Sequence, residues 1–328
     1  MWRRLFLAAA LLPYLLYIVF ILHADCGPID YETFMQIGSH LLNGQPVYGE
    51  NSYYPMSYVM VFAFFAWLPR VLSMLLWFSL PVLAVLVISK GEPLALLFAP
   101  TLSHFLGGQT ATPSLLGFWG YRHHSQPNDP WGGVWLAVAS IKPQLAIFPL
   151  LWAGFQWVKW MRLHRRIPRQ VWAFLFSLAI IYLPGFLIFP SWIGQWLSSP
   201  RPLFERALTG LVPRALIYLL PSDGWLYWVL LVFISAGLFL LLWRLKHGAI
   251  NLDTTLAASF ILNPLAHDYD LIQLVPLLET RRLKITALLL SIPGWLVMIF
   301  AYDKDPLWWV VALIPPGHLW MLLRDKTA

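Results

Sequence analysis

The chain is a succession of apolar runs separated by short polar punctuation. A bilayer core needs about 20 mostly apolar residues per helix, and runs of that order recur along the whole sequence. The first spans Leu5 to His23 behind Arg3 and Arg4. Its apolar stretch is too long for a signal peptide and lacks a small-residue cleavage site, so it reads as a retained helix. Pro55 to Leu68 then reads as a run returning inward, and Val71 to Ser89, with Pro81 in its middle, as another crossing. From Leu94 to Trp160 the runs are short, interrupted at Pro100, Gly107-Gly108, Pro113, the polar YRHHSQPNDP of 121 to 130, and Lys142-Pro143. Interrupted helices at membrane depth must line a cavity or pack inside protein, because unsatisfied backbone groups in lipid cost several kcal/mol each. Further runs cover Val171 to Pro190, Trp225 to Trp243, Leu256 to Leu265, Leu271 to Leu278, and roughly 285 to 301 and 307 to 323. The pattern predicts an all-α, polytopic membrane protein of about ten to eleven hydrophobic helices in a single domain, 1 to 328.

One polar stretch departs from this pattern. Residues 24 to 55 follow directly on the first run, and within them Asp30 to Leu42 carries Phe34, Ile37, Leu41 and Leu42 at helical spacing before the Asn43-Gly44 turn signal. That spacing predicts a short amphipathic helix on the membrane surface in the first external loop.

Composition agrees with a membrane environment: 59% of residues are hydrophobic and only 11% are charged, against about 25% in soluble domains. The net charge of +7 does not indicate nucleic acid, because Lys and Arg are not arranged as a stripe with interleaved aromatics. They flank the apolar runs, as cytoplasmic helix ends do. The densest group, KWMRLHRRIPR at 159 to 169, is the strongest cytoplasmic anchor, and both termini read as cytoplasmic. The lone Cys26 excludes an internal disulfide, and the chain has no CxxC or Cys/His cluster. It also has no Gly-rich phosphate loop and no nucleophile elbow, which disfavours nucleotide-driven and hydrolase chemistry.

Against this background the 24 to 55 loop holds Asp25, Asp30, Glu32 and Glu50, out of only 15 acidic residues in 328. A solvated loop is the ordinary reading of such a group, and for Asp30 so is a helix N-cap. The loop's length, its position at the membrane surface and its exit YGENSYYP, rich in Tyr (Tyr54 among them), a residue suited to sugar stacking and to interfacial anchoring, weigh against that reading. A general base has to meet a substrate hydroxyl at the water boundary. Asp30 is the first candidate and Asp25 the second, with Glu32 and Glu50 read as solvated.

The stretch I-D-Y-x-T-F-x-x-x-G-x-x-L-L-x-G-Q-P-V-Y, followed by Y-x-P and a helix ending in L-P, resembles the first external loop of glycosyltransferase family 87. That family belongs to the GT-C superfamily of polyprenyl-phosphate-sugar-dependent enzymes and includes bacterial envelope mannosyltransferases. Gly108-Gln109, ASIKP at 139 to 143 and NPLAHDYDL at 263 to 271 resemble later family segments in the same order. Together these segments touch positions from about 25 to 275. The family's late segment more often reads Ser-Pro followed by Trp and His, so the acidic HDYD is a departure, and this chain is shorter than most members.

The resemblance implies a multi-pass enzyme of the bacterial plasma membrane with its site on the outer face. Asp30 would deprotonate an acceptor hydroxyl on a glycan or glycolipid, which then attacks the anomeric carbon of a polyprenyl-phosphate sugar, mannose-like hexose favoured, with inversion. The leaving phosphate needs fixed cationic or polar donors. The candidates are Lys142, His267, Arg201, Arg206 and Arg214, with Gln109, His104, Asp268 and Asp270 nearby in the motifs. Lys142 lies in an apolar stretch, where an ionisable residue is by default a functional hypothesis, although a snorkelling side chain is its ordinary reading. His267, Asp268 and Asp270 are acceptable ligands for a divalent cation, but their spacing is not diagnostic and no metal is assigned. The competing readings are a transporter or flippase of a lipid-linked sugar, which also uses broken helices, and an inactive scaffold subunit.

Overall fold

The computed structural model describes residues 2–49, 52, 54–199, 211–220, 224–245, 251–300 and 311–325, apart from the side chains of 214, 218, 241–245 and 325. In chain order the helices are α1 (Trp2–Ala24), α2 (Ile29–Leu42), α3 (Met56–Trp67), α4 (Arg70–Ile88), α5 (Pro93–Leu96), α6 (Ala99–Leu106), α7 (Thr112–His123) and α8 (Pro130–Ala139). They continue with α9 (Pro143–His164), α10 (Arg169–Ile188), α11 (Trp192–Ser198), α12 (Leu211–Leu219), α13 (Trp225–Leu245) and α14 (Leu252–Leu262). A 3₁₀ helix (Asp268–Leu277), α15 (Arg281–Phe300) and α16 (Ile314–Asp325) complete the order.

The described residues form an all-helical membrane protein. Among them four helices are long and apolar enough to cross a bilayer: α1, α4, α10 and α15. Of the ten to eleven hydrophobic helices expected from the sequence, these four meet that length and composition among the described residues. The chain divides into two compact units, one of Met1–Leu96, His104–Pro143 and Gln156–Arg201, the other of Leu97–Ser103, Gln144–Phe155 and Pro202–Ala328.

In the first unit α1 and α4 run antiparallel. At one end the Arg3 guanidinium donates to the Lys90 carbonyl at 3.0 Å. At the other, Arg70, the first residue of α4, reaches Asp25 just past the end of α1. The chain between them leaves and returns at the same end of the pair. This overturns the inward crossing expected for Pro55 to Leu68. Those residues form α3, whose 12 residues reach only ~18 Å at 1.5 Å per residue, short of the ~30 Å core. Instead α3 folds back on α2. Gly38 makes this possible: a Cβ there would sit 2.4 Å from the Phe62 carbonyl group, so only glycine lets the two backbones come so close. α2 is the amphipathic helix expected, although its buried face is Tyr31, Phe34, Ile37 and Gly38 and Leu42 is exposed. Phe34 stacks on Phe62 with centroids 4.7 Å apart, and Trp77 of α4 lies against both rings. Such aromatic pairs each contribute about 0.5–1.5 kcal/mol beyond the area they bury.

Farther along this unit, α8 packs between α7 and α10. The polar stretch at 121 to 130 closes α7 and opens α8. Asp129 caps α8 through the Trp131 N–H at 3.0 Å and pairs with His124 at 2.8 Å. The fully buried Gln170 of α10 donates to the His124 and Gln126 carbonyls and accepts from the Trp157 indole N–H.

In the second unit α14 is the buried helix, with every residue from Thr254 to Leu262 inside. Asn251 and Thr254 close a capping box at its start, each side chain accepting from the other's backbone N–H. Around it pack α12 and α16. Leu216, Tyr227 and Leu231 form an apolar cluster between α12 and α13. Ser291 in α15 accepts from the Ala99 N–H at 3.0 Å, and Phe98 lies 5.9 Å from the His318 ring.

Candidate functional site

The site in the first unit is built around a break in the helices. After α6 the chain turns through Gly108 at φ +63°, a left-handed conformation that favours glycine. A Cβ on Gly108 would also crowd Tyr31 and Phe78 at 3.1 and 3.2 Å. The turn is closed by the Gly108 N–H to the Phe105 carbonyl and the Gln109 N–H to the His104 carbonyl, both at 3.0 Å. Carbonyls at the end of α6 and through the non-helical residues that follow have no helical partner ahead of them and need others. Three helices supply them. Tyr17 of α1 donates to Leu106 O at 2.9 Å, Trp77 of α4 to Gly108 O at 2.8 Å, and Tyr58 of α3 to Thr110 O at 2.6 Å. This meets the requirement that irregular backbone among apolar helices be satisfied by protein.

The bracket fixes Gln109, which is buried, so that its side-chain amide donates to Asp30 Oδ2. Asp30 lies in the first turn of α2 and is exposed. The helix N-cap position belongs to Pro28, so capping does not account for Asp30. One oxygen of its carboxylate accepts from this neutral donor at the protein surface, which gives the group a fixed direction. Tyr54 borders the same place. Its hydroxyl accepts from Thr110 Oγ1 at 3.4 Å, and its ring meets Phe34, Tyr58 and Phe62 edge-on at 5.2–5.4 Å. Asp30, Gln109 and Tyr54, three residues far apart in sequence, thus share one edge of the unit.

Asp25 and Glu32 serve a different purpose. Arg70 donates to both Glu32 oxygens, at 2.6 and 3.2 Å, to the Asp25 carboxylate at 2.9 Å and to the Asp25 carbonyl at 2.9 Å. Glu32 also accepts from the Gly27 N–H at 2.6 Å. Glu32 is therefore not simply a solvated loop charge, and Asp25 spends its carboxylate on a cation that joins α1, α2 and α4. The unassigned partner was Arg70. The acidic residues it meets are 38 and 45 positions away in the sequence.

Lys142 precedes Pro143 at the start of α9 and is only 2% exposed. Its charge acts on the fully buried His104, whose Nε2 lies 3.0 Å from Thr112 Oγ1. His104 also supplies the carbonyl that holds the Gln109 turn. A buried cation and the Gly-Gln segment therefore belong to the same part of this unit.

His267, Asp268 and Asp270 belong to the second unit. Asp270 accepts from the His267 N–H at 3.0 Å, and the His267 ring stacks on Tyr269 at 5.1 Å. Asp268 accepts from the Ser103 hydroxyl. Burial raises the Asp268 pKa from 3.8 to about 6; the Ser103 hydrogen bond opposes the shift and the Asp270 charge adds to it. Among the described residues no three His, Cys, Asp or Glu side chains gather as a metal site. The carboxylates of HDYD accept from protein donors. Arg201, Arg206 and Glu50 lie outside the described residues, as does the Arg214 side chain.

Comparison with protein-family models, with curated proteins and with solved structures finds no match to this chain.

The aromatic donors Tyr17, Tyr58 and Trp77 were not singled out in the sequence. A signal for them existed: each places a hydrogen-bonding atom inside an apolar run, where such atoms find partners when buried.

Proposed function

We propose that this chain is a membrane glycosyltransferase of the GT-C type. It transfers a hexose, mannose-like by resemblance, from a polyprenyl-phosphate carrier to an acceptor hydroxyl on an extracytoplasmic glycan or glycolipid. The observation that carries the reading is the Asp30 carboxylate. It is exposed at the edge of an apolar helical unit and held by the Gln109 amide from a bracketed helix break.

In this reading Asp30 accepts the acceptor's hydroxyl proton as the oxygen attacks the anomeric carbon. The bond from that carbon to the phosphate oxygen breaks, and polyprenyl phosphate leaves with the electron pair, inverting the anomeric centre. Tyr54 offers a ring for sugar packing. Lys142 is a buried cation of the same unit and is assigned to the phosphate charge. The reading places the Asp25–Arg70 end of α1 and α4 on the outer face and the Arg3–Lys90 end in the cytoplasm.

The test is transfer in vitro from a polyprenyl-phosphate hexose by wild type and Asp30→Asn. The variant keeps the size of the side chain and an oxygen for the Gln109 amide. It should insert and purify normally while losing transfer by at least about a hundredfold, the scale of general-base catalysis. Full transfer by the variant would remove Asp30 from the mechanism.

A further inference from the structure

The basic turn between α9 and α10 has no role in the site above. Lys159, Arg162, Arg165, Arg166 and Arg169 fall within eleven residues and are all exposed. Among the described residues none of the five pairs with a carboxylate. The negative end of the α9 dipole accounts for one or two nearby cations, not for five. Arg165 closes α9 in a left-handed conformation, φ +55°, which folds the last turn of α9 back toward Arg169 at the start of α10.

The surroundings of this turn are apolar and face outward. Leu163 is 78% exposed, and the first turns of α10 present Trp172, Leu175 and Phe176 on its outer surface. α10 is a candidate span with only 6% of its apolar window buried inside the protein. Trp160 stacks on His164 at 4.2 Å within the basic turn, an aromatic and cationic mixture suited to the headgroup level. The five cations thus ring the end of a helix whose sides are made for lipid. A nucleic acid or acidic protein would match the charge, but not the exposed leucine and tryptophan beside it.

We infer that the turn at 159–169 is a binding surface for acidic phospholipid headgroups, with the guanidinium groups on lipid phosphates and Leu163 among the acyl chains. Each basic residue near an acidic membrane surface multiplies partitioning about fivefold, so removal of three should cost roughly a hundredfold.

The full chain is reconstituted in nanodiscs of equal phosphatidylglycerol and phosphatidylcholine, released, and its retained lipids are counted by native mass spectrometry. Wild type should keep phosphatidylglycerol in preference and lose that preference in high salt. K159Q/R162Q/R166Q should lower the retention ratio by roughly a hundredfold, whereas K159R/R162K/R166K should preserve it. Equal retention of the two lipids by wild type would overturn the inference. So would an unchanged ratio in the neutral triple variant, or displacement of phosphatidylglycerol by a short RNA at equal phosphate concentration. Should the neutral triple variant not fold, R165Q/R166Q, which lies between α9 and α10 and leaves both helices as they are, takes its place, and an unchanged ratio there overturns the inference.

Discussion

A base at a water boundary needs a fixed direction more than a shifted charge. Asp30 obtains its direction from Gln109, whose amide reaches it across 79 positions of sequence. Gln109→Leu removes the donor but keeps the volume. Transfer should fall about tenfold to a hundredfold, because displacement of a reacting group by ~1 Å is already worth about a hundredfold. The folded fraction, measured by size exclusion and circular dichroism, should not change. A loss no larger than twofold would mean that the amide has no part in orienting the base. Asp268 gives a second expectation. Its folded pKa is raised from 3.8 to about 6, so the folded state holds the proton more tightly than the unfolded chain. Stability contributed by this group therefore falls as pH rises between those values, and the cost is complete above about 6. In Asp268→Asn the cost is absent. The variant's melting temperature relative to wild type, followed by tryptophan fluorescence in detergent, should climb across that interval and then level off. A difference independent of pH would refute the assignment.

At the level of elements, the α2–α3 pair shows where sequence periodicity succeeds and where it fails. The helical spacing of Phe34 and Ile37 located α2, because an amphipathic face is a local property. The path of residues 55 to 68 was not legible, since an apolar run of that length serves equally as half a span or as a buried return helix. What decides is contact at a distance: Gly38 against the Phe62 backbone, and Arg70 against Asp25 and Glu32. Gly38→Val puts carbon where the Phe62 carbonyl lies and should destabilise the fold by about 1–3 kcal/mol, the usual cost of overpacking. A thermal midpoint within error of wild type would show that the hairpin opens freely. The helix break after α6 was legible from Gly107-Gly108, but its aromatic holders were not, because three separate helices contribute them.

For the whole molecule, the antiparallel α1 and α4 make a prediction about sides. Cys26 is the chain's single cysteine and is exposed. It follows α1 at the Arg70 end, whereas Lys90 lies at the Arg3 end. A membrane-impermeant maleimide applied to intact cells should label wild type at Cys26. It should label a Cys26→Ser, Lys90→Cys protein only after the membrane is opened. Labelling of both from the same side would exclude α1 and α4 as full crossings. The all-helical, membrane character was readable from composition and the length of the apolar runs. The number of crossings was not, because helix length depends on breaks at Pro and Gly whose consequences are settled by packing.

The bracket around residues 106 to 110 grips main-chain oxygen atoms, not side chains. Every amino acid carries that oxygen, so the address of position 109 is independent of the residue that occupies it. A lineage carrying this scaffold is free to exchange Gln109 for another group and present new chemistry to Asp30, while the helices that hold the segment keep their places.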